Sequence, residues 1–353
     1  MKLHPQFRLN GKAYSSDSLL AEAKQWQNAA DIEQKHLGIF LEDWLSDSKT
    51  VMVHTSGSTG VPKPLVVSKV AMQTSAKRTA DFFELSPGDT ALLCLPVRYI
   101  AGKMMVVRAL VIGLVLDVIP PKTTLQLHGK KYDFAALIPL QAKASFNLLE
   151  DLKTVLIGGA PIPVELRKAL AKKHPHCVET YGMTETLTHV ATRPVRYPAI
   201  PFMAMPNVTL DVDSDGCLVL KVPYLSETPI ITNDVVELVD ERSFQLLGRR
   251  DFVINSGGKK IFPEQLEEKL SAVLEIPFFF TGIPDDKLGE QLVLVVESNT
   301  KNKMCYLEIA TKILSTDKHH VPKAVFCVDA FAYTPSGKLD RAGTKAMAIG
   351  ISE

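Results

Sequence analysis

A short apolar run, Val51-Met52-Val53, leads into Thr55-Ser56-Gly57-Ser58-Thr59-Gly60, with Lys63 close behind. Glycines let backbone N–H groups turn toward an anion, hydroxyls add donors and a lysine adds a point charge, so this composition points to phosphate handling. It is not the G-x-x-x-x-G-K-[ST] loop of common NTPases. Pro62 stands where the second glycine belongs, and Pro64 replaces the hydroxyl that would hold a metal. Further on, Lys153-Thr-Val-Leu-Ile opens into Gly158-Gly159-Ala160, where missing side chains let backbone approach a flat ligand edge. Tyr181-Gly182-Met183-Thr184-Glu185 offers a ring for stacking, a hydroxyl for a phosphate and a hard carboxylate suited to Mg²⁺.

These residues need a scaffold, and the patterning predicts one. Leu19 to Trp26 and Leu37 to Trp44 carry helical spacing, with Ser and Asp available as caps. Ser68 to Leu85 reads as an amphipathic helix. Short apolar runs at Thr90 to Leu95, Leu114 to Ile119, Phe134 to Pro139 and Thr154 to Ile157, followed by a helix at Val164 to Lys173, predict strands alternating with helices. That pattern makes a helix-covered, largely parallel sheet. From about Val208 the chain turns to hairpins, around Ser214-Asp215-Gly216 and around Asp240 to Ser243, an antiparallel segment closing the large unit. Beyond Gly248-Arg249-Arg250-Asp251 a separate strand and helix succession begins, long enough for a second core. The expected fold is therefore α/β, with a large N-terminal domain over residues 1–250 and a smaller α+β C-terminal domain over 251–353.

Composition narrows the function classes. The chain has 353 residues, more than one typical domain holds. Forty basic residues against 39 acidic ones leave a formal net charge of +1, so no global field argues for nucleic acid or an anionic membrane. The stretch Met104 to Ile119 is cut by Arg108 and Asp117, too short to span a bilayer, and reads as buried core. Five scattered cysteines and the lack of an apolar leader fit reduced thiols and a cytoplasmic setting. His174/His176 and His319/His320 lack ligand-spaced partners and read as surface histidines rather than a zinc site. Oligomeric state is open, with a homo-oligomer allowed.

The spacing of these motifs resembles the adenylate-forming superfamily of acyl-CoA synthetases, luciferases and adenylation domains. Thr55 to Lys63 match its [ST]-[ST]-G-[ST]-[ST]-G-x-P-K loop, and Tyr181 to Glu185 match its Y-G-x-T-E signature. Gly248-Arg249-Arg250-Asp251 with Gly257-Gly258-Lys259-Lys260-Ile261-Phe262-Pro263 resembles G-R-x-D…G-G-x-x-[IV]-x-P, and Pro335-Ser336-Gly337-Lys338 resembles the terminal lysine segment with a shortened spacer. The resemblance implies ATP, Mg²⁺ and CoA as partners, with an acid converted to its adenylate and then to a thioester. It assigns Thr55, Ser56, Gly57, Ser58, Thr59, Gly60 and Lys63 to phosphates, and Gly158, Gly159, Ala160, Tyr181 and Gly182 to the nucleotide. Asp234 and Arg249 would hold the ribose, with Asn233 where the family usually has glycine. Glu185 would hold the metal, Thr184 would contact the α-phosphate and Lys338 would stabilise charge there. Asp251 would be the hinge, with Gly257, Gly258 and Lys259 or Lys260 serving CoA. Compactness, Leu95-Pro-Val-Arg-Tyr-Ile-Ala-Gly102 and Thr186-Leu-Thr-His189 are similar to small o-succinylbenzoate-CoA ligases of menaquinone synthesis, although Tyr99 replaces a common histidine. That would require a cation for the second carboxylate, for which Arg98, Lys103, His189 and Arg193 are candidates. Another aryl or short-chain acid, a carrier-protein acceptor and a catalytically silent nucleotide-binding homologue are the alternatives.

Overall fold

A computed structural model describes residues 2–54, 63–300, 302–333 and 339–350. Its main element is a thirteen-stranded sheet. From one edge the order is Thr209–Val212, Cys217–Lys221, Ile230–Asp240, Ser243–Arg249, Phe202–Ala204, His189–Pro194, Cys177–Gly182, Leu152–Ile157, Tyr132–Leu137, Thr90–Leu93, Val115–Val118, Arg8–Leu9 and Lys12–Ala13. Pairings from Cys177–Gly182 across to Arg8–Leu9 are all parallel. Those from Cys177–Gly182 to Thr209–Val212 are all antiparallel. The sheet is therefore mixed α/β as expected, and the antiparallel segment continues the parallel one.

Burial on both faces explains why the parallel strands read as continuous apolar runs. Leu93, Phe134 and Leu156 pack with residues of helices Ile32–Leu45, Lys69–Phe83 and Ile100–Arg108 on one face. Leu92, Ala135, Val155 and Ile157 face Leu166 and Leu170 of helix Val164–Lys173 on the other. Side-chain oxygens of Asp31 and Ser68 accept from first-turn backbone N–H groups and so start two of these helices, as Ser15 does for helix Ser16–Trp26. Lys69 is buried, its amine donating to the Asp43 and Ser46 carbonyls at 2.6 and 3.0 Å, where it caps helix Ile32–Leu45. His174 departs from expectation. It is buried, its ring edge-on to Phe146 with centroids 4.6 Å apart.

Residues from Ile254 onward build a second, five-stranded sheet. Gly289–Glu297 pairs with Phe278–Asp285 on one side and with Ile254–Ser256 and parallel Ala324–Val328 on the other, while Lys259–Ile261 extends the edge. This sheet has its own apolar core, which includes Ile254, Leu266, Phe280, Leu294 and Leu314. Helix Pro263–Leu270 meets the large sheet at Ser243–Arg249. There Glu264 Oε1 accepts from the Arg249 N–H at 3.1 Å. A Cβ on Gly248 would lie 2.5 Å from Glu264 Oε2, so any larger residue here would displace the Glu264 carboxylate from the seam.

Candidate active site

Two adjacent parallel strands carry the central segments. Leu152–Ile157 delivers Gly158, Gly159 and Ala160, and Cys177–Gly182 delivers Met183, Thr184 and Glu185, so both groups emerge from the carboxyl ends of one sheet. Open α/β sheets bind ligands at that edge. A Cβ on Gly158 would lie 2.3 Å from Thr180 Oγ1, which brings the two exits into close approach. The turn after Gly182 is tightly held: Thr186 Oγ1 accepts from the Met183 N–H at 2.9 Å and donates to the Thr188 carbonyl at 2.8 Å. Leu187 sits at φ +63°, a conformation bulky side chains rarely adopt. The turn leaves Glu185 exposed and Thr184 buried.

Asp234 stands across this edge. Tyr181 donates to its Oδ2 at 2.5 Å, the Arg249 guanidinium lies 3.4 Å from its Oδ1, and its own N–H is held by Thr232 Oγ1 at 3.1 Å. Burial, and then the Asp234 charge, push the Tyr181 hydroxyl well above its ordinary pKa, so it remains a donor. Burial disfavours charge on Arg249, but its bonds to Asp251 and Asp234 outweigh that and raise its pKa. The Tyr181 ring is 8% exposed and packs against Phe202 and Phe244. Its hydroxyl, rather than a free ring face for stacking, is what it brings to the site. The result is a carboxylate held at both oxygens on an anchored backbone, suited to accept a pair of hydroxyls.

The four cations expected for a second carboxylate do not converge. Arg98 is exposed and lies over the Tyr99 ring at 4.6 Å. The Lys103 amine turns to Phe40, 4.7 Å from its ring centroid, and burial lowers its pKa to about 8 against the opposing pull of Asp43. Arg193 is committed elsewhere: Nε donates to Glu179 Oε2 at 2.6 Å, Nη1 donates to the Ile200 carbonyl at 2.8 Å, and the guanidinium covers Phe202 at 4.0 Å. Arg167 shares the same Glu179 at 2.8 Å, although its Nε and Nη1 lack partners. This buried cluster ties helix Val164–Lys173 to two strands, and it removes Arg193 from the acid-binding candidates.

His189 does lie in the heart of the molecule, with a neighbour the sequence marked only as an interruption. Arg108, 3% exposed at the end of helix Ile100–Arg108, donates to Thr188 Oγ1 at 2.5 Å, and that hydroxyl is 3.1 Å from His189 Nδ1. Arg108 and His189 thus meet at one hydroxyl, which accepts from the guanidinium and has both a donor and a further acceptor site to offer the ring. His189 Nε2 and Arg108 Nε are buried without partners, and no carboxylate among the described residues pairs with Arg108. Burial lowers the Arg108 pKa to about 10; burial, and then Arg108, hold His189 down to about 3. At neutral pH this is a buried cation beside a neutral imidazole. The signal was a lone arginine inside an otherwise apolar run.

Thr55, Ser56, Gly57, Ser58, Thr59 and Gly60, and Lys338, lie outside the described residues. Their flanks are described: His54 pairs with Pro64 across an antiparallel two-stranded sheet, and Tyr333 bridges Leu339. Asp251 receives Arg249 at 2.9 Å. Gly257 and Gly258 follow at φ +58° and +78°, with Lys259 and Lys260 exposed behind them. A cleft of about 240 Å³ beside them is lined by Ser256, Leu288, Lys318, His319 and Lys323 among others. Among the described residues no three His, Cys, Asp or Glu side chains form a metal cage. A lone exposed Glu185 suits Mg²⁺ nonetheless, because this ion keeps waters and shares its coordination with substrate phosphates.

Comparison with known proteins agrees with this geometry. The model of the AMP-binding enzyme family matches residues 12–219. A 2-succinylbenzoate–CoA ligase of Bacillus cereus (strain ZK / E33L) is 25% identical over 340 residues, covering 84% of this chain and 69% of the relative. The crystal structure of an acyl-CoA synthetase (AMP-forming)/AMP-acid ligase II-like protein from Dyadobacter fermentans is 33% identical, with a TM-score of 0.59 over 92% of this chain and 97% of that one. An o-succinylbenzoate CoA synthetase from Bacillus subtilis, solved with the acyl-adenylate intermediate OSB-AMP, shares the fold at a TM-score of 0.79 over 96% and 94% of the two chains, at 17% identity. With its nucleotide-type strand edge, its anchored Asp234 and a family match over more than half its length, the chain belongs to the AMP-binding enzymes.

Proposed function

We propose that this protein is an AMP-forming acid–thiol ligase acting on an aryl dicarboxylate, o-succinylbenzoate, with CoA as acceptor. A free carboxylate is a poor acyl donor because its leaving group would be oxide. Its attack on the α-phosphorus of ATP forms a mixed anhydride with AMP and expels pyrophosphate. Catalysis of such a step is mainly positioning and electrostatics. Asp234 receives the ribose hydroxyls, with Tyr181 and Arg249 fixing its carboxylate. The segment 55–63 receives the β- and γ-phosphates, and Lys338 meets the charge developing at the α-phosphate, where Thr184 donates. Glu185 would hold Mg²⁺, which supplies charge neutralisation among the phosphates.

The second step needs room for a thiol. A turn of Asp251 brings Gly257 and Gly258 to the acyl group, and the basic cleft with Lys318 and Lys323, together with Lys260, suits the phosphates of CoA. Five free cysteines fit a reducing cytoplasm.

The observation that carries the substrate class is Arg108. A buried guanidinium without a carboxylate is costly, and a substrate with a second carboxylate would complete the pair. His189 Nε2, buried without a partner, adds a second unsatisfied polar atom beside it. Incubation with ATP, Mg²⁺, CoA and a panel of aryl, fatty and dicarboxylic acids tests the reading through pyrophosphate and thioester release. Turnover of the aryl dicarboxylate is expected; turnover of monoacids alone would reject it. Lys338→Ala is expected to slow adenylation by at least ~10²-fold while preformed acyl-adenylate still passes to CoA. Equal loss of both steps would contradict the two-orientation account.

A further inference from the structure

Asn233 occupies the position before Asp234 where the related signature usually carries glycine, and its side chain is engaged. Its Oδ1 accepts from Arg250 Nη2 at 2.7 Å, and its Nδ2 donates to Asp251 Oδ2 at 3.4 Å. Arg250 is also held by Asp215 at 3.3 Å, in the turn between Thr209–Val212 and Cys217–Lys221. Arg249 supplies the second partner of Asp251 at 2.9 Å. One amide therefore grips both residues at which the chain leaves the large sheet, after Arg249, and before it enters the small one at Ile254. Glycine could make neither bond.

We infer that Asn233 is a positioning residue of the ligase reaction, a latch that biases the pivot at Asp251 toward the orientation described above. The inference rests on the reading of Asp251 as the pivot. Rotation about that residue must change its φ and ψ and swing its carboxylate, so the bonds from Asn233 and Arg249 break or distort. Asn233 is half-buried while Arg250 and Asp251 are exposed, so each bond contributes modestly, and its removal shifts the balance of orientations by roughly two- to tenfold. The two half-reactions would divide that shift unequally, because each uses a different orientation.

The test uses the full chain with Asn233→Ala and Asn233→Asp. The aspartate keeps an acceptor for Arg250 but sets a like charge against Asp251, so it should act in the same direction and more strongly. Four quantities are measured: the rate of tryptic cutting at Arg249 and Arg250 without substrate, the single-turnover rates of pyrophosphate release and of thioester formation, and the Kd for ATP. The expected result is hinge cutting faster by ~2–10-fold, a similar change in the ratio of the two half-reaction rates, and ATP affinity within about twofold of the parent. Unchanged cutting together with an unchanged ratio overturns the latch. Weakened ATP binding with an unchanged ratio overturns it as well, since Asn233 would then act through its neighbour Asp234. Faster cutting without a shift in the ratio also overturns the positioning role, since the contact would then be structural alone.

Discussion

Two buried arginine sites lie on either side of strand His189–Pro194, and they differ in one respect that separates structure from function. Arg193 and Arg167 share Glu179, with N–O distances of 2.6 and 2.8 Å and all three side chains nearly inaccessible. Arg108 is equally buried and, among the described residues, its polar and ring contacts are the Thr188 hydroxyl, the Met105 sulfur at 3.4 Å and the Phe134 ring at 5.9 Å. Desolvating a charge costs several kcal/mol, a cost that a buried carboxylate offsets and a hydroxyl does so only in part. The first site has its counter-charge within the chain. The second has no carboxylate partner among the described residues, and its Nε is buried without a hydrogen bond.

Removing the carboxylate from the first site should have the largest effect. Glu179→Ala leaves two buried guanidiniums unpaired, and denaturant unfolding should show a loss of about 3–5 kcal/mol. A loss under ~1 kcal/mol would mean that water already reaches the cluster. Arg108→Met should behave oppositely. With no internal carboxylate to abandon, the free protein should be as stable as the parent or gain ~1–4 kcal/mol, measured the same way. A substantial loss would show that Arg108 is a structural cation like Arg193, and the contrast would fail.

A third effect concerns pH. His189 has a pKa depressed to about 3 against an ordinary value of 6.5, so between those pH values the unfolded chain binds a proton that the folded chain refuses. Stability then falls as pH drops through that window, at up to about 1.4 kcal/mol per pH unit from this residue, and it is fully present above 6.5. His189→Gln should flatten that limb of the stability–pH curve. An unchanged slope would mean that the imidazole titrates normally in the fold.

Much of this was legible in the chain. The alternation from Thr90 to Lys173 predicts the parallel strands and the helices over them, because burial on both faces leaves an unbroken apolar run. Tyr181 to Glu185 falls at a strand exit, where the motif requires it. Side-chain direction was not legible. Nothing in the spacing of Arg193 tells that it points at Glu179, fourteen positions earlier in a neighbouring strand. Arg108 looked like a break in a hydrophobic stretch, since its meaning depends on which acids fail to reach it. The Tyr181 ring could be placed near the nucleotide, but its burial against Phe202 and Phe244 depends on strands that follow it in sequence.

Substrate discrimination by the Arg108→Met variant tests the contrast most directly. Relative kcat/KM for o-succinylbenzoate over the matched monoacid lacking the carboxylate that is not activated would be compared with the same ratio in the parent. A buried charge pair with substrate predicts that the ratio falls by ~30-fold or more, corresponding to at least ~2 kcal/mol, while activity on the monoacid changes little. An unchanged ratio, or an equal loss on both acids, would contradict the assignment of Arg108 to the second carboxylate.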